Sequence, residues 1–279
     1  MTFSIVARSP DGTSWGVAVA SKFLAVGSVV PAAVAGIGAL ATQADANVSW
    51  KGRLLALLDE GATAPVALER VVADDEAPTH RQVGIVDLDG TAAAHTGADC
   101  LPWAGDRVGD GVSLQGNVLA GPEVLAAMEE SWHATAPEGV LARRLLAALR
   151  AGDRAGGDRR GRQSAALLVV REGAGYGGLD DVAVDLRVDD HPDPCAELER
   201  LLDLHRLYLT ASTEQEKVPL DAPLRAELEA LARATGHRDL AAWVGSENYE
   251  MRADLDPSSG WVDVLVLQAL RDTAGAAPA

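Results

Sequence analysis

The length, composition and charge of the chain exclude several classes of protein. Its 279 residues include 24 Lys and Arg and 41 Asp and Glu, which gives a formal net charge of −17. This charge disfavours nucleic acid as a partner, because phosphate contacts need clustered cations on a positive face. Apolar residues make up 48% of the chain, which is ordinary for a globular protein with a buried core.

The cysteines and the first residues bear on cofactors and compartment. Cys100 and Cys195 lie far apart and lack metal-ligand spacing, so we expect no metal, no other cofactor and a reduced environment. The first residues lack the basic and apolar segments of a secretion signal. Glycines and a proline interrupt the apolar run 25–41, so no membrane span is expected. These features favour a cytoplasmic protein without a membrane partner.

Strand patterns dominate the beginning of the chain. Residues 3–8 and 15–22 favour β structure and flank Pro10-Asp11-Gly12, which predicts a hairpin. Residues 27–30 and 36–42 favour two further strands, the second almost without polar residues and therefore buried on both faces.

Helical patterns follow, and strands then return. A polar elbow at 43–47 precedes leucines at helical spacing, and Gly61 and Thr63 mark the end of one helix and the start of the next. Asp89-Gly90 between residues 82–86 and 91–95 predicts a second hairpin. The remaining elements before residue 210 are predicted as a strand over 112–115, two helices, strands over 165–170 and 182–188, and a helix through Leu198, Leu201 and Leu204.

Tight turns between consecutive strands indicate antiparallel sheets rather than repeated βαβ units. Strands without polar residues on either face need cover on both faces, which two packed sheets with helices outside each would supply. We therefore predict an α+β fold, a four-layer αββα sandwich over residues 1–210. A polar linker over 211–222 and a small helical domain over 223–279 complete the predicted organisation.

Thr2 offers nucleophile and base within one residue. Because the Thr2 side chain is small, removal of Met1 by methionine aminopeptidase is expected, and it leaves a free α-amine on Thr2. An α-amine with a pKa of roughly 7.7–8.0 is partly neutral near neutral pH and can accept the proton of the hydroxyl of its own residue.

Several separate motifs resemble, in order, the bacterial family DUF1028 over residues 2–210. The similar segments are TFSIVAR (2–8), GVAVASKF (16–23), ATQA (41–44), QGNVLAG (115–121), GRQSAA (161–166) and VDDHPDP (188–194). A leading Thr, a hairpin and a buried strand that ends in a polar elbow also resemble the N-terminal nucleophile (Ntn) hydrolases. This resemblance implies the αββα sandwich, with the nucleophile at the first residue of the first strand.

The end of the chain resembles a peptidoglycan-binding-like module that often follows this domain. The similar residues are WVGSENYE (243–250) and a closing helix predicted over 262–270. The missing secretion signal argues against a cell-wall role. A module for helical packing or dimerisation is the alternative, and in either case we expect a homo-oligomer.

The resemblance implies an N-terminal-threonine amidohydrolase that acts on a small amide or peptide-like substrate through a covalent acyl-threonine intermediate. Thr2 would attack the acyl carbon, and the ammonium of Lys22 would lower the pKa of the α-amine by like-charge repulsion. By alternation along the strand, Ser21 would then face away from the site. Asn117, at a strand end, could donate its side-chain amide to the oxyanion.

Other candidate residues concern the substrate. Backbone N–H groups of the elbow, from Gln43 and Ala44 to Asn47, lie ahead of a helix and could bind the oxyanion. Arg162 could hold a substrate carboxylate in a two-pronged contact. His95, at the end of a hairpin strand, is a weaker candidate, because a structural histidine explains its position better than a catalytic one.

Two other functions stay open. The first is a non-catalytic binding or assembly protein with the Ntn fold, whose C-terminal module recognises a glycan or peptide or mediates oligomerisation. A retained Met1 would suit this alternative, because it removes the free amine of Thr2. The second is a proteasome-like peptidase ring, which is less favoured because the C-terminal module would have to fit outside the ring.

Overall fold

The structure, a computed structural model, describes residues 2–135 and 140–276. The chain forms two compact units, Met1–Leu201 and Leu202–Ala279. The predicted domain boundary lay at residue 210, whereas the observed division falls inside a helix, Pro194–Leu209. Polarity of the sequence could not reveal this boundary, because the helix continues through it.

The first unit contains a six-stranded and a four-stranded sheet. The strands described are β1 (Thr2–Arg8), β2 (Trp15–Ser21), β3 (Pro31–Val34), β4 (Gly38–Ala44), β5 (Arg81–Asp87), β6 (Ala92–Thr96), β7 (Gly105–Gly109), β8 (Val112–Asn117), β9 (Ser164–Val170) and β10 (Val182–Val188). The strand order is β10-β9-β2-β1-β8-β7 in the larger sheet and β3-β4-β5-β6 in the smaller one. Neighbouring strands pair antiparallel throughout both sheets, which confirms the prediction of an α+β fold with antiparallel sheets.

Helices connect and cover the strands of this unit. Those described are α1 (Val26–Val29), α2 (Ser49–Asp59), α3 (Ala64–Ala73), α4 (Glu123–Ala134), α5 (Leu141–Arg154) and α6 (Pro194–Leu209). Helices α4 and α5 contact the larger sheet, and α2 and α3 contact the smaller one. Gly152 of α5 allows a close approach of α4, since a Cβ there would lie 2.6 Å from Met128 Cγ.

Small aliphatic side chains fill the space between the two sheets. Val17 and Val19 of the larger sheet share one buried cluster with Ala39, Ala41 and Val86 of the smaller sheet. Alternation along β1 directs Thr2, Ser4 and Val6 to this side, and Phe3 to the side of α5. Polar residues at the start of β1 therefore enter the layer between the sheets.

The segment 27–30 was wrongly predicted as a strand. Val26–Val29 forms the short helix α1, preceded by Ala25 at φ 51°. A Cβ on Gly27 would lie 2.5 Å from Ala166 Cβ, so this helix packs closely against β9. A short run of apolar residues indicates burial, but it does not distinguish a short buried helix from a buried strand.

The sequence predicted a purely helical second unit, but the structure contains strands as well as helices there. It contains α7 (Ala222–Ala234), α8 (Leu240–Ser246), α9 (Val264–Ala276) and a three-stranded sheet, β11 (Lys217–Pro219), β13 (Trp261–Asp263) and β12 (Ala253–Asp254), in that order. Strand β11 lies within the predicted linker and pairs with β13. Strands of two or three residues carry too little alternation to be predicted.

A buried ion pair lies at the centre of this second unit. The Arg252 and Asp263 side chains are 1% and 0% exposed, and Nη1 of Arg252 lies 2.5 Å from Oδ2 of Asp263. Arg252 Nε also donates to the carbonyl of Leu207 at 2.9 Å. These partners compensate a buried charge that would be costly alone. Among the described residues, no helix combines the length and apolarity needed to cross a membrane.

Candidate active site

Thr2 is the first residue of β1 and lies between two strands of the larger sheet. It pairs with Asn117 of β8, and its Oγ1 lies 3.2 Å from Ser21 Oγ on β2. The residue is 5% exposed. The two hydroxyls thus meet at the end of the sheet where β1 begins and β2 and β8 end.

Three amide side chains connect this end of the larger sheet to the smaller sheet. Gln82 Oε1 accepts hydrogen bonds from Gln43 Nε2 at 2.8 Å and from Asn117 Nδ2 at 2.9 Å. Gln43 Nε2 also donates to the Thr2 carbonyl at 3.3 Å. Because a carbonyl oxygen only accepts, Gln82 determines which way both neighbouring amides are oriented.

A second branch of the network follows β1 and β8. Ser4 Oγ donates to Gln43 Oε1 at 2.7 Å and accepts from Gln115 Nε2 at 2.6 Å. Ser113 Oγ donates to Gln115 Oε1 at 2.8 Å. Gly84 makes room for this branch, since a Cβ there would lie 1.8 Å from Gln115 Oε1. We call Ser4, Gln43, Gln82, Ser113, Gln115 and Asn117 together the amide network.

The amide network is fully buried, with every member 0% or 1% exposed. A buried donor or acceptor left without a partner costs about 1–3 kcal/mol, while each satisfied hydrogen bond contributes about 0.5–1.5 kcal/mol. A network satisfied in this way holds a single arrangement of its side chains. It therefore fixes the Thr2 carbonyl relative to both sheets.

Backbone strain lies directly beside two members of the network. Ala44 has φ 66° and Val118 has φ 50°, and they follow Gln43 and Asn117 in the chain. The left-handed region is unfavourable for a residue with a Cβ and especially for a β-branched one. Val118 is held there by its N–H, which donates to the Leu101 carbonyl at 2.8 Å. Such strain costs on the order of 1–3 kcal/mol per residue and clusters at functional sites.

The structure places Ser21 and Lys22 differently from the prediction. Strand β2 ends at Ser21, whose hydroxyl contacts Thr2, whereas Lys22 follows the strand and is exposed. The backbone N–H of Lys22 donates to Asp158 Oδ2 at 2.7 Å. The prediction took the strand to include Lys22 and therefore directed Lys22, not Ser21, toward Thr2.

The predicted elbow is not one site. Gln43 and Ala44 still belong to β4, and the Gln43 side chain donates to the Thr2 carbonyl and to Gln82 Oε1. Asn47 serves the start of α2, because its Oδ1 accepts from Ser49 N at 3.1 Å, and its Nδ2 donates to Asp75 Oδ2 at 2.6 Å.

His95 and Arg162 are not brought into the amide network. His95 Nε2 lies 2.8 Å from the Pro78 carbonyl, a contact that fits a structural histidine. Arg162 Nε donates to Asp153 Oδ1 at 2.7 Å, and this hydrogen bond raises the pKa of the guanidinium. Arg162 instead lines a cavity of about 390 Å³ that also reaches Ser21.

Neither cysteine offers an alternative nucleophile. Cys100 and Cys195 are buried free thiols, and burial raises the pKa of both, which disfavours the reactive thiolate. Within residues 2–135 and 140–276, no group of three or more His, Cys, Asp and Glu could hold a metal ion.

Four residues around Thr2 were not predicted as part of the site from sequence: Ser21, Gln82, Ser4 and Gln115. A signal was present, because each is a polar residue at an inward position of a strand that is otherwise apolar or small. Buried polar groups require partners, so polar residues on several strands predict a mutual network. Which strands meet, however, depends on the sheet order, which the sequence did not reveal.

Comparisons with known proteins agree with the motif resemblance. The crystal structure of protein SPO2555 from Silicibacter pomeroyi, described as family-model DUF1028, is 33% identical, with a TM-score of 0.66, and the match covers 74% of this chain and 89% of that one. Anbu (ancestral beta-subunit) from Yersinia bercovieri is 10% identical with a TM-score of 0.34 over 72% of this chain and 96% of that one, a similarity too low to carry an argument.

A search of the curated proteins found no match to the chain. The family comparison is specific, and it covers most of the first unit. Residues 2–198 match the family of unknown function DUF1028, and the chain belongs to this family.

Proposed function

We propose that the chain is an Ntn-type amidohydrolase with Thr2 as its nucleophile. The observation that carries the proposal is the Thr2 hydroxyl at the end of β1, 3.2 Å from Ser21 Oγ, on a residue whose carbonyl is held by Gln43. The proposal requires processing that leaves Thr2 as the first residue with a free α-amine. A substrate of small amide or peptide-like type fits this chemistry.

The arrangement of the first unit supports the Ntn proposal. Helices α4 and α5 contact the larger sheet, the two sheets contact each other, and α2 and α3 contact the smaller sheet. This is the order of layers expected of the αββα sandwich. The nucleophile of such a fold is the first residue of a central strand, as Thr2 is of β1.

The reaction divides into two balanced steps. Thr2 Oγ1 attacks the amide carbonyl carbon while the α-amine accepts the hydroxyl proton, directly or through water. Collapse of the tetrahedral intermediate breaks the C–N bond, and the leaving amine takes that proton. Water then attacks the acyl-threonine ester, releases the carboxylic acid and restores the hydroxyl.

The surrounding residues have distinct roles in this proposal. Asn117 donates one N–H to Gln82, and its side-chain amide carries a second N–H that we assign to the oxyanion. Ser21 orients the Thr2 hydroxyl through their shared hydrogen bond. Gln43 and Gln82 are positioning residues, since they act on Thr2 and Asn117 and not on the substrate.

An electrophilic acyl probe tests the assignment. A β-lactone should acylate the wild-type protein, because attack by a hydroxyl opens the lactone and leaves an ester. Thr2→Ala should remove this labelling, and Thr2→Ser should retain it because the hydroxyl and the α-amine both persist. Equal labelling of wild type and Thr2→Ala would reject Thr2 as the nucleophile.

A non-catalytic binding or assembly protein is the second candidate. The observation that favours it is the low exposure of Thr2, 5% in the chain that contains Met1. In that case the second unit would recognise a glycan or peptide, or mediate homo-oligomerisation. The mass of the first residue separates the two candidates, because a retained Met1 occupies the amine that the hydrolase requires.

A further inference from the structure

The cavity at the end of β1 and β2 has a mixed apolar and charged wall. Its volume is about 390 Å³, within the range of small-molecule sites. Phe3 and Ala20 form part of the apolar wall, and Arg154 and Arg162 form part of the charged wall. Ser21 also lines the cavity, so the residue that contacts the Thr2 hydroxyl is shared by both sites.

Asp158 lines the cavity but is committed to the surrounding loop. Its side chain is 2% exposed, its Oδ2 accepts from the backbone N–H of Lys22 at 2.7 Å, and its Oδ1 accepts from that of Arg160 at 2.8 Å. A carboxylate satisfied in this way fixes the wall and does not offer a site for a ligand cation.

Arg162 is oriented by a contact with Asp153, which also lines the cavity. The contact with Asp153 Oδ1 uses Nε, at 2.7 Å, so the terminal Nη atoms are not engaged by that bond. Asp193 also lies close enough to influence Arg162, but its Oδ1 accepts from Ala196 N at 3.2 Å near the start of α6. Paired Nη atoms of a guanidinium match a carboxylate in planar, bidentate geometry.

We propose that this cavity binds the carboxylate of an acylated amino acid or short acyl-peptide through Arg162 and Arg154. The inference rests on the proposed function, because Ser21 both lines the cavity and contacts the Thr2 hydroxyl, so the amide bond of such a ligand would have to reach Thr2 around the end of β1 and β2. Arg154 and Arg162 line the cavity together with Asp153 and Asp158, and both carboxylates accept hydrogen bonds from the protein itself. Screening limits the repulsion by distant acidic groups to about 8–10 Å.

Binding to the full-length Thr2→Ala variant tests the site without turnover. The probes are N-acetyl-L-alanine and N-acetyl-L-alaninamide, which differ in the carboxylate, and calorimetry measures both affinities. The carboxylate should bind at least about tenfold more tightly, as expected for a charge-assisted contact. Equal affinities, or binding of neither probe, would overturn the proposal.

Arginine variants in the same background locate the contact. Arg162→Lys keeps the charge but loses the paired N–H donors of the guanidinium, and Arg154→Gln removes a charge. Each variant should therefore bind N-acetyl-L-alanine several-fold more weakly. Arg271→Gln is the matched control, because Arg271 lies in the second unit and pairs with Glu227; it should bind like the parent. The site would be refuted if both cavity variants bound N-acetyl-L-alanine as tightly as the Thr2→Ala parent and unfolded at the same temperature as that parent.

The two proposals fail separately. Carboxylate binding that depends on Arg162, without lactone labelling of Thr2, would reject the hydrolase and retain the binding site. Labelling of Thr2 without preference for the carboxylate probe would retain the hydrolase and reject this substrate class.

Discussion

Gln82 and Asn117 belong to different sheets and are joined by a hydrogen bond of 2.9 Å from Asn117 Nδ2 to Gln82 Oε1. The same oxygen accepts from Gln43, and Gln82 Nε2 donates to the carbonyl of Gly116 at 2.8 Å. A single side chain therefore fixes two amides on either side of Thr2. The amide network is the structural basis of the proposed site.

Gln82→Leu should destabilise the first unit by about 3 kcal/mol or more. The apolar side chain leaves the N–H groups of Gln43 and Asn117 and the Gly116 carbonyl without their partner, and each unsatisfied group costs about 1–3 kcal/mol. Denaturant unfolding measures the loss. Gln163→Leu is the control, because Gln163 makes an exposed contact with Asp190 and should change stability by about 0.5 kcal/mol at most. Equal losses of unfolding free energy in Gln82→Leu and Gln163→Leu would contradict a stabilising role of the amide network.

Ser21→Ala should slow labelling of Thr2 by about tenfold, which corresponds to the loss of roughly 1.4 kcal/mol of stabilisation. The hydroxyl of Ser21 contacts the Thr2 hydroxyl, whereas the Lys22 side chain is exposed. Lys22→Ala should therefore label at a rate close to wild type. Labelling rates of the two variants distinguish the role proposed for Ser21 from the role expected of Lys22 from sequence, and a larger effect at Lys22 would reverse the assignment.

Ala44→Gly should keep or raise stability by up to about 1 kcal/mol. Glycine adopts the left-handed conformation at φ 66° without strain, although its greater freedom in the unfolded chain offsets part of the gain. Ala39→Gly, in the same strand, should instead destabilise, because a buried methyl group is lost without relief of strain. Comparable losses in both variants would show that Ala44 is not strained.

The stabilising contribution of Glu216 to the second unit should be lost at acidic pH. Hydrogen bonds from Thr213 N and from Arg206 lower the pKa of Glu216 from 4.5 to about 2. A carboxyl group whose folded pKa is depressed contributes stability that is complete above its unfolded pKa and is lost as the pH falls toward the folded value. The stability difference between wild type and Glu216→Gln should therefore shrink between pH 4.5 and about 2. A difference independent of pH in unfolding experiments would rule out this linkage.

The sequence revealed the strands with strong local signals. The hairpin around Asp89-Gly90 is present, with β5 ending at Asp87 and β6 beginning at Ala92, because the turn residues and the flanking alternation agree. Strand β7 was missed, since GDRVG has little apolar character. Its exposure at the edge of the larger sheet removes the need for an apolar pattern.

The site was only partly predictable for a related reason. Thr2 and Asn117 were identified from motifs, and they are neighbours in the sheet. Gln82 lies on a strand of the other sheet, and its role depends on how the sheets face each other, which no local pattern encodes. The choice between Ser21 and Lys22 depended on the end of one strand, and strand ends are the least certain feature of a sequence pattern.

Peptide mapping by tandem mass spectrometry of the native protein, after exposure to the β-lactone, tests whether Thr2 is the nucleophile. We expect an N-terminal peptide that begins at Thr2, with the acyl group on its side chain and an unmodified α-amine. A peptide that keeps Met1, or an adduct on any other residue, would reject Thr2 as the nucleophile.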